Sequence, residues 1–96
     1  MNAKTAYDLM VSKIFKENKY PKFNAEEKQL YSMYKIKDLY VFVFQNKDQI
    51  GTDSTVDLDF VVNSKTGDSY FEDGIVIAME YGMVENNAFI DFSEFK

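Results

Sequence analysis

Leu39-Tyr-Val-Phe-Val-Phe-Gln45 decides the fold: six consecutive leucine, aromatic or β-branched residues before a polar one. Such side chains pack well on a pleated surface and favour strands. In a strand Tyr40, Phe42 and Phe44 point to one side, and Val41 and Val43 to the other. A segment apolar on both sides belongs in the middle of a sheet covered above and below. The stretch is therefore expected to be the central strand, with the rest of the chain laid around it.

Working back toward the start, Asn2 is a good N-cap. Ala3, Ala6, Tyr7, Met10, Val11, Ile14 and Phe15 then recur at helical spacing. The pattern predicts a helix over 3–18, stopped by Pro21, with Tyr20 extended before it. Asn24-Ala-Glu-Glu27 reads as an N-cap and a helical turn near 24–28, followed by a strand over 29–36; a short helix to about residue 33 is the alternative. A turn at Lys37-Asp38 then leads into the central strand.

Working forward, residues 46–55 are polar and read as a loop. Val56, Leu58, Phe60 and Val62 alternate with outward Asp57 and Asp59, as in a half-buried strand over 56–62. Asn63 to Gly67 forms a turn, and 69–72 the returning strand. Asp73-Gly74 is a further turn signal. The β-branched run 75–81 reads as a strand, with a short buried helix as the alternative. A turn at 85–87 leads to a last strand over 88–92. The fold class is α+β: one N-terminal helix packed on an antiparallel sheet of five to six strands, in a single domain over 1–96. The expected core is Met10, Val11, Ile14, Phe15, Phe42, Phe44, Leu58, Phe60, Val62 and Ile77.

Composition narrows the chemistry. Nine Phe and seven Tyr within a 46% hydrophobic chain exclude a disordered protein. Cysteine, histidine, tryptophan and arginine are all absent. Disulfides, thiolate and imidazole catalysis, guanidinium phosphate clamps and the usual zinc ligands go with them. All the basic residues are lysines and Asn, Ile, Tyr and Phe abound, which points to an AT-rich genome such as that of a low-GC bacterium, its phages or mobile elements. No apolar run is long enough for a membrane span, and no signal pattern opens the sequence. A cytoplasmic location is expected, although a processed secreted chain would read alike.

The net charge of −5 is unevenly spread. Residues 1–47 carry nine lysines against five acids, and residues 48–96 two lysines against eleven acids. Acidity and the lack of arginine argue against nucleic acid as a partner. An acidic second half suits a protein partner with a basic surface, with charge steering the encounter. Asp57, Asp59, Asp68, Glu72 and Asp73 are the expected cluster, and Tyr70 an aromatic anchor beside them.

Two weaker patterns compete with ordinary surface roles. Asp57 and Asp59, two apart on a strand, lie about 7 Å apart on one face, a spacing compatible with paired glycosidase carboxylates. Alternating Asp is, however, what any half-exposed strand shows. Counting from Asn46, Asp48 is third, Gly51 sixth and Asp57 twelfth, as in a calcium loop. Ile50 stands where an oxygen ligand is needed, and a closing Glu is missing. The four glycines are scattered turn residues and form no phosphate loop. No catalytic residue, metal or cofactor is expected.

The helix, the "DLYVFVF" strand and the "LDFVVNSKTGDSY" hairpin, spanning about 3–72, resemble small bacterial one-helix-plus-sheet proteins: toxin-immunity proteins of the NTF2-like type, and PepSY-type modules in which a TG-containing hairpin recurs. PepSY modules are usually exported. The resemblance implies the layout and transfers no functional residue. The expected function is a non-enzymatic, acidic interaction protein that binds and blocks a protein partner, of the immunity-protein or phage-inhibitor type. A small-ligand-binding domain is the alternative, and a carboxylate-only hydrolase comes last.

Overall fold

The computed structural model describes residues 1–49 and 58–96. Strands β1 (Lys28–Ile36), β2 (Leu39–Asn46), β3 (Leu58–Asn63) and β4 (Ser69–Asp73) form a four-stranded antiparallel sheet in chain order. β2 is internal, and its residues 39 to 44 are all buried. Phe42 faces Met33 on one neighbour and Phe60 on the other. Both sheet faces are roofed, as a strand apolar on both sides requires.

The first face carries Met33, Tyr40, Phe42, Phe44, Phe60 and Val62. It is covered by helix α1 (Ala3–Val11), which contributes Ala6 and Met10, while Ile14 follows on the next turn. Asn2 caps the helix by accepting the Thr5 N–H at 2.9 Å. The predicted helix continues past Val11, but as a π-helical stretch over Ser12–Lys16, with the Glu17 N–H donated to the Ser12 carbonyl at 2.8 Å. The wider turn carries an extra residue. It keeps Ile14 inside and swings Phe15 outward to 45% exposure, which corrects its place in the expected core. Val11 is half-buried, and Leu58, at the end of β3, is exposed rather than core. Tyr20 and Phe23 close this side, making ring contacts with Phe60, Phe71 and Phe44 at 4.8–5.7 Å.

β1 shows why alternation alone reads ambiguously there. Leu30 pairs with Phe44 and Ser32 with Val43, so Tyr31 is an extra residue in a β-bulge. The bulge reverses the faces midway through the strand. It puts both Leu30 and Met33 against α1, while Ser32, Tyr34 and Ile36 turn to the second face. A two-residue link, Lys37-Asp38, joins β1 to β2, and Lys37 adopts a left-handed φ of 54°. That conformation strains a side chain with a Cβ. Lys37→Gly is therefore expected to raise stability by up to about 1 kcal/mol, the relieved strain being partly offset by unfolded-chain entropy. A urea midpoint that falls in this variant would contradict that account.

The structure corrects the last third of the predicted layout. Residues 75–81 belong to a helix, α2 (Gly74–Tyr81), not to a strand. Asp73 acts as its N-cap, accepting the Ile75 N–H at 2.9 Å, and Gly82 closes it with a φ of 87°. Capping at both ends outweighs the β-propensity of Ile75-Val76-Ile77, so Asp73-Gly74 starts a helix instead of turning a hairpin. Residues 88–92 supply one bridge, Tyr34 to Phe89, and an Ile90 N–H donated to the Met33 carbonyl at 2.8 Å. Two short 3₁₀ turns, Asn86–Ala88 and Phe92–Phe95, flank that contact. The described residues thus form four strands, fewer than the five to six expected.

Candidate functional site

The second sheet face carries Tyr34, Leu39, Val41, Val43 and Val61, and α2 lies over it. Ile77 is the side chain α2 buries into this layer, with Tyr81 and Val84 packing at its edge. A helix covering a sheet ordinarily turns polar residues to water. α2 does the reverse: Ile75 and Met79, four residues apart, are 69% and 82% exposed, and Met83, just past the closing Gly82, is 91% exposed. Val76, on the flank, is also exposed. This is an apolar stripe on the outer surface, and contiguous patches of that kind mark contact sites. Its methionines are flexible and polarizable, and adapt to varied partners.

Beside the stripe, the start of α2, the β1–β3 face and Phe89 border an open cleft of about 620 Å³. Ser32, Val43 and Asp59 lie within it; Tyr31, re-aimed by the bulge, and Phe89 stand at its mouth, both exposed. Asp59 is only 2% exposed. Its position follows from register: Asp59 pairs with Val43 and Glu72, so it points to the face that α2 roofs. A Cβ on Gly74 would sit 3.2 Å from Asp59 Oδ2, so the first turn of α2 approaches the carboxylate through a residue without a side chain. The positive end of the helix dipole favours a negative group there.

The expected acidic cluster is thereby redistributed. Asp59 belongs beneath α2 and not to an exposed surface, because the face read as outward is a second covered face. Asp57 lies outside the described residues, as do Gly51 and Ile50 of the calcium-loop pattern; Asp48 sits in a 3₁₀ turn, Lys47–Gln49. Asp68 is exposed in the β3–β4 turn, whereas Asp73 ends β4, about 17 Å further along at strand spacing. Tyr70 and Glu72 lie between them on the α2 side of β4, paired with Val61 and Asp59. The structure does group Tyr70 and Glu72 with Glu80 and Tyr81 of α2. Burial, then Tyr81, Glu72 and Glu80, hold the Tyr70 hydroxyl above its usual pKa. Partial burial, Glu80 and Asp38 do the same for Tyr81. Both hydroxyls stay protonated at neutral pH as hydrogen-bond donors, within an acidic, aromatic border to the apolar stripe.

Tyr31, Ile75, Met79, Met83 and Phe89 are the surface residues that sequence reasoning missed. The available signal was Gly74-Ile-Val-Ile-Ala-Met79, six residues without a polar side chain between Asp73 and Glu80. As a helix, that run must expose apolar groups. Among the described residues no group of three or more Asp or Glu is gathered as a metal site, and no helix is long and apolar enough to cross a membrane. No protein-family model matches this chain, nor does any curated protein or solved structure.

Proposed function

We propose that this is a non-enzymatic interaction protein that binds, and by binding blocks, a protein partner with a basic surface, in the manner of an immunity protein or a phage-encoded inhibitor. The observation that carries this reading is the outward stripe of Ile75, Met79 and Met83. Among the described residues it is left exposed, and its acidic border of Asp73, Glu72 and Glu80 selects for positive charge around an apolar contact. Interfaces are commonly built in this way, with an apolar centre of aromatic and Met side chains and a polar rim. The acids would steer the encounter and make association fall with salt.

The test places a photo-crosslinking residue at Met79 and, as a control, at exposed Lys22 beyond α1. A partner captured from the native host through position 79 but not 22 is the expected result. Met79→Glu should then weaken that partner by about 30-fold or more, the effect of losing a central contact. Equal capture at both positions, or unchanged affinity in Met79→Glu, would remove this face from consideration.

A further inference from the structure

The stripe is also where the chain keeps its accessible sulfur. Cysteine is absent, so the five methionines carry all the sulfur in the protein. Met10 and Met33 are core residues, 1% and 0% exposed, enclosed between the sheet and α1. Met1 is exposed just before the N-cap of α1, on the other side of the sheet. Met79 and Met83 are the most exposed large apolar residues among those described, and both belong to the stripe. Oxidation of a thioether follows its exposure and turns a flexible apolar side chain into a polar one. In the core that change would disrupt packing. On the stripe it alters only what the surface offers a partner.

We propose that Met79 and Met83 form a modification site at which hydrogen peroxide switches the contact surface off. The inference rests on the interaction reading above and names its regulation. The sulfur lone pair attacks one peroxide oxygen, forming the S–O bond as the O–O bond breaks. The departing hydroxide takes the proton of the transferred oxygen and leaves as water. Sulfur loses two electrons, the peroxide gains them, and the product is methionine sulfoxide. A neutral oxidant suits the site, because the acidic border of Glu72, Asp73 and Glu80 repels anions. Docking an apolar surface over the sulfoxide strips water from its oxygen and supplies no donor in return. Sulfoxide reductases return the thioether, so the change is reversible.

The experiment exposes the folded protein to hydrogen peroxide. Peptide mapping by mass spectrometry is expected to show Met79 and Met83 oxidised at least about tenfold faster than Met10 and Met33, with the far-UV dichroism retained. The oxidised protein should leave a phenyl hydrophobic-interaction column well before the parent. The Met79→Leu, Met83→Leu double variant keeps an apolar stripe without sulfur, and its retention should not move with peroxide. For the partner captured through position 79, oxidation should weaken binding by about tenfold or more, as an unpaired buried oxygen would give, and the leucine variant should resist. Methionine sulfoxide reductases specific for each epimer, with dithiothreitol as the thiol reductant, should restore retention and affinity. Core methionines oxidised as fast as Met79 and Met83, retention unmoved by their oxidation, or an equal shift in the leucine variant overturns the inference. Failure of the reductases to restore the parent's behaviour does the same. If Met79→Glu abolishes partner binding while oxidation spares it, the switch falls and the interaction reading stands; if neither alters it, both fall.

Discussion

Phe42→Ala is expected to destabilise the protein by about 3–5 kcal/mol. Phe42 is fully buried at the centre of β2, between Met33 and Phe60 across the sheet and beneath α1, with the Tyr7 ring 6.5 Å away. Truncation removes the transfer energy of a phenyl ring and leaves a hole that cannot collapse. The backbone on both sides is tied into ladders, and the helix above is fixed by Met10 and Ile14. A domain of this size has about 5–15 kcal/mol in total, so the variant should be folded but near its limit. Urea denaturation monitored by far-UV circular dichroism measures the loss. A midpoint unchanged from the parent would mean that β2 is not the centre of the fold.

Ile77→Asp should detach α2 while the sheet and α1 remain. Ile77 is the fully enclosed side chain of that helix, 3% exposed over Val41 and Val61. Losing its burial costs about 2–5 kcal/mol, and a carboxylate forced into the same space adds further penalty. The chain can escape that penalty by releasing α2, so the global loss is capped by whatever docking α2 contributes. The expected signature is therefore local: reduced helical dichroism and new proteolytic cleavage between residues 74 and 88, with the near-ultraviolet aromatic signal of the α1 side retained. Met79→Glu, two residues on and on the outer side of the helix, should change stability by less than about 0.5 kcal/mol. If the two substitutions cost the same, α2 does not bind the sheet through Ile77.

The sequence made the α1 side legible because composition and spacing agree there. Ala6, Met10 and Ile14 mark a helical stripe, Phe42 and Phe44 an internal strand, and Phe60 and Val62 the strand beside them. Where the reading failed, two signals competed or a third body was needed. Ile75-Val76-Ile77 has strand propensity, and its helical state is settled by Asp73 and Gly82 at its ends. Tyr31 occupies a bulge that no strict alternation can express. Asp59 alternates as an exposed residue should, yet the face it points to is covered by a helix that follows fourteen or more residues later. The apolar part of the candidate contact surface therefore has no counterpart in the sequence reading. Glu72 and Asp73 enter the sequence reading only as members of an acidic cluster with Asp57, Asp59 and Asp68, with Tyr70 beside it, and the apolar residues next to them depend on recognising α2.

The tie between residues 89–90 and β1 also bears on how the protein keeps itself from aggregating. A sheet built around Leu39-Tyr-Val-Phe-Val-Phe44 contains the kind of uncharged, β-prone segment that nucleates fibrils when its backbone is free to pair. In the native fold that segment is internal, paired on both sides by β1 and β3. The outer side of β1 is occupied at Met33 and Tyr34 by the Phe89–Ile90 backbone. At the opposite border, β4 is only five residues long and ends in Glu72 and Asp73. Short, charged or covered edges deny a second molecule a template for strand addition. The native sheet thereby resists edge-to-edge growth, even though its central strand is an uncharged, β-prone segment.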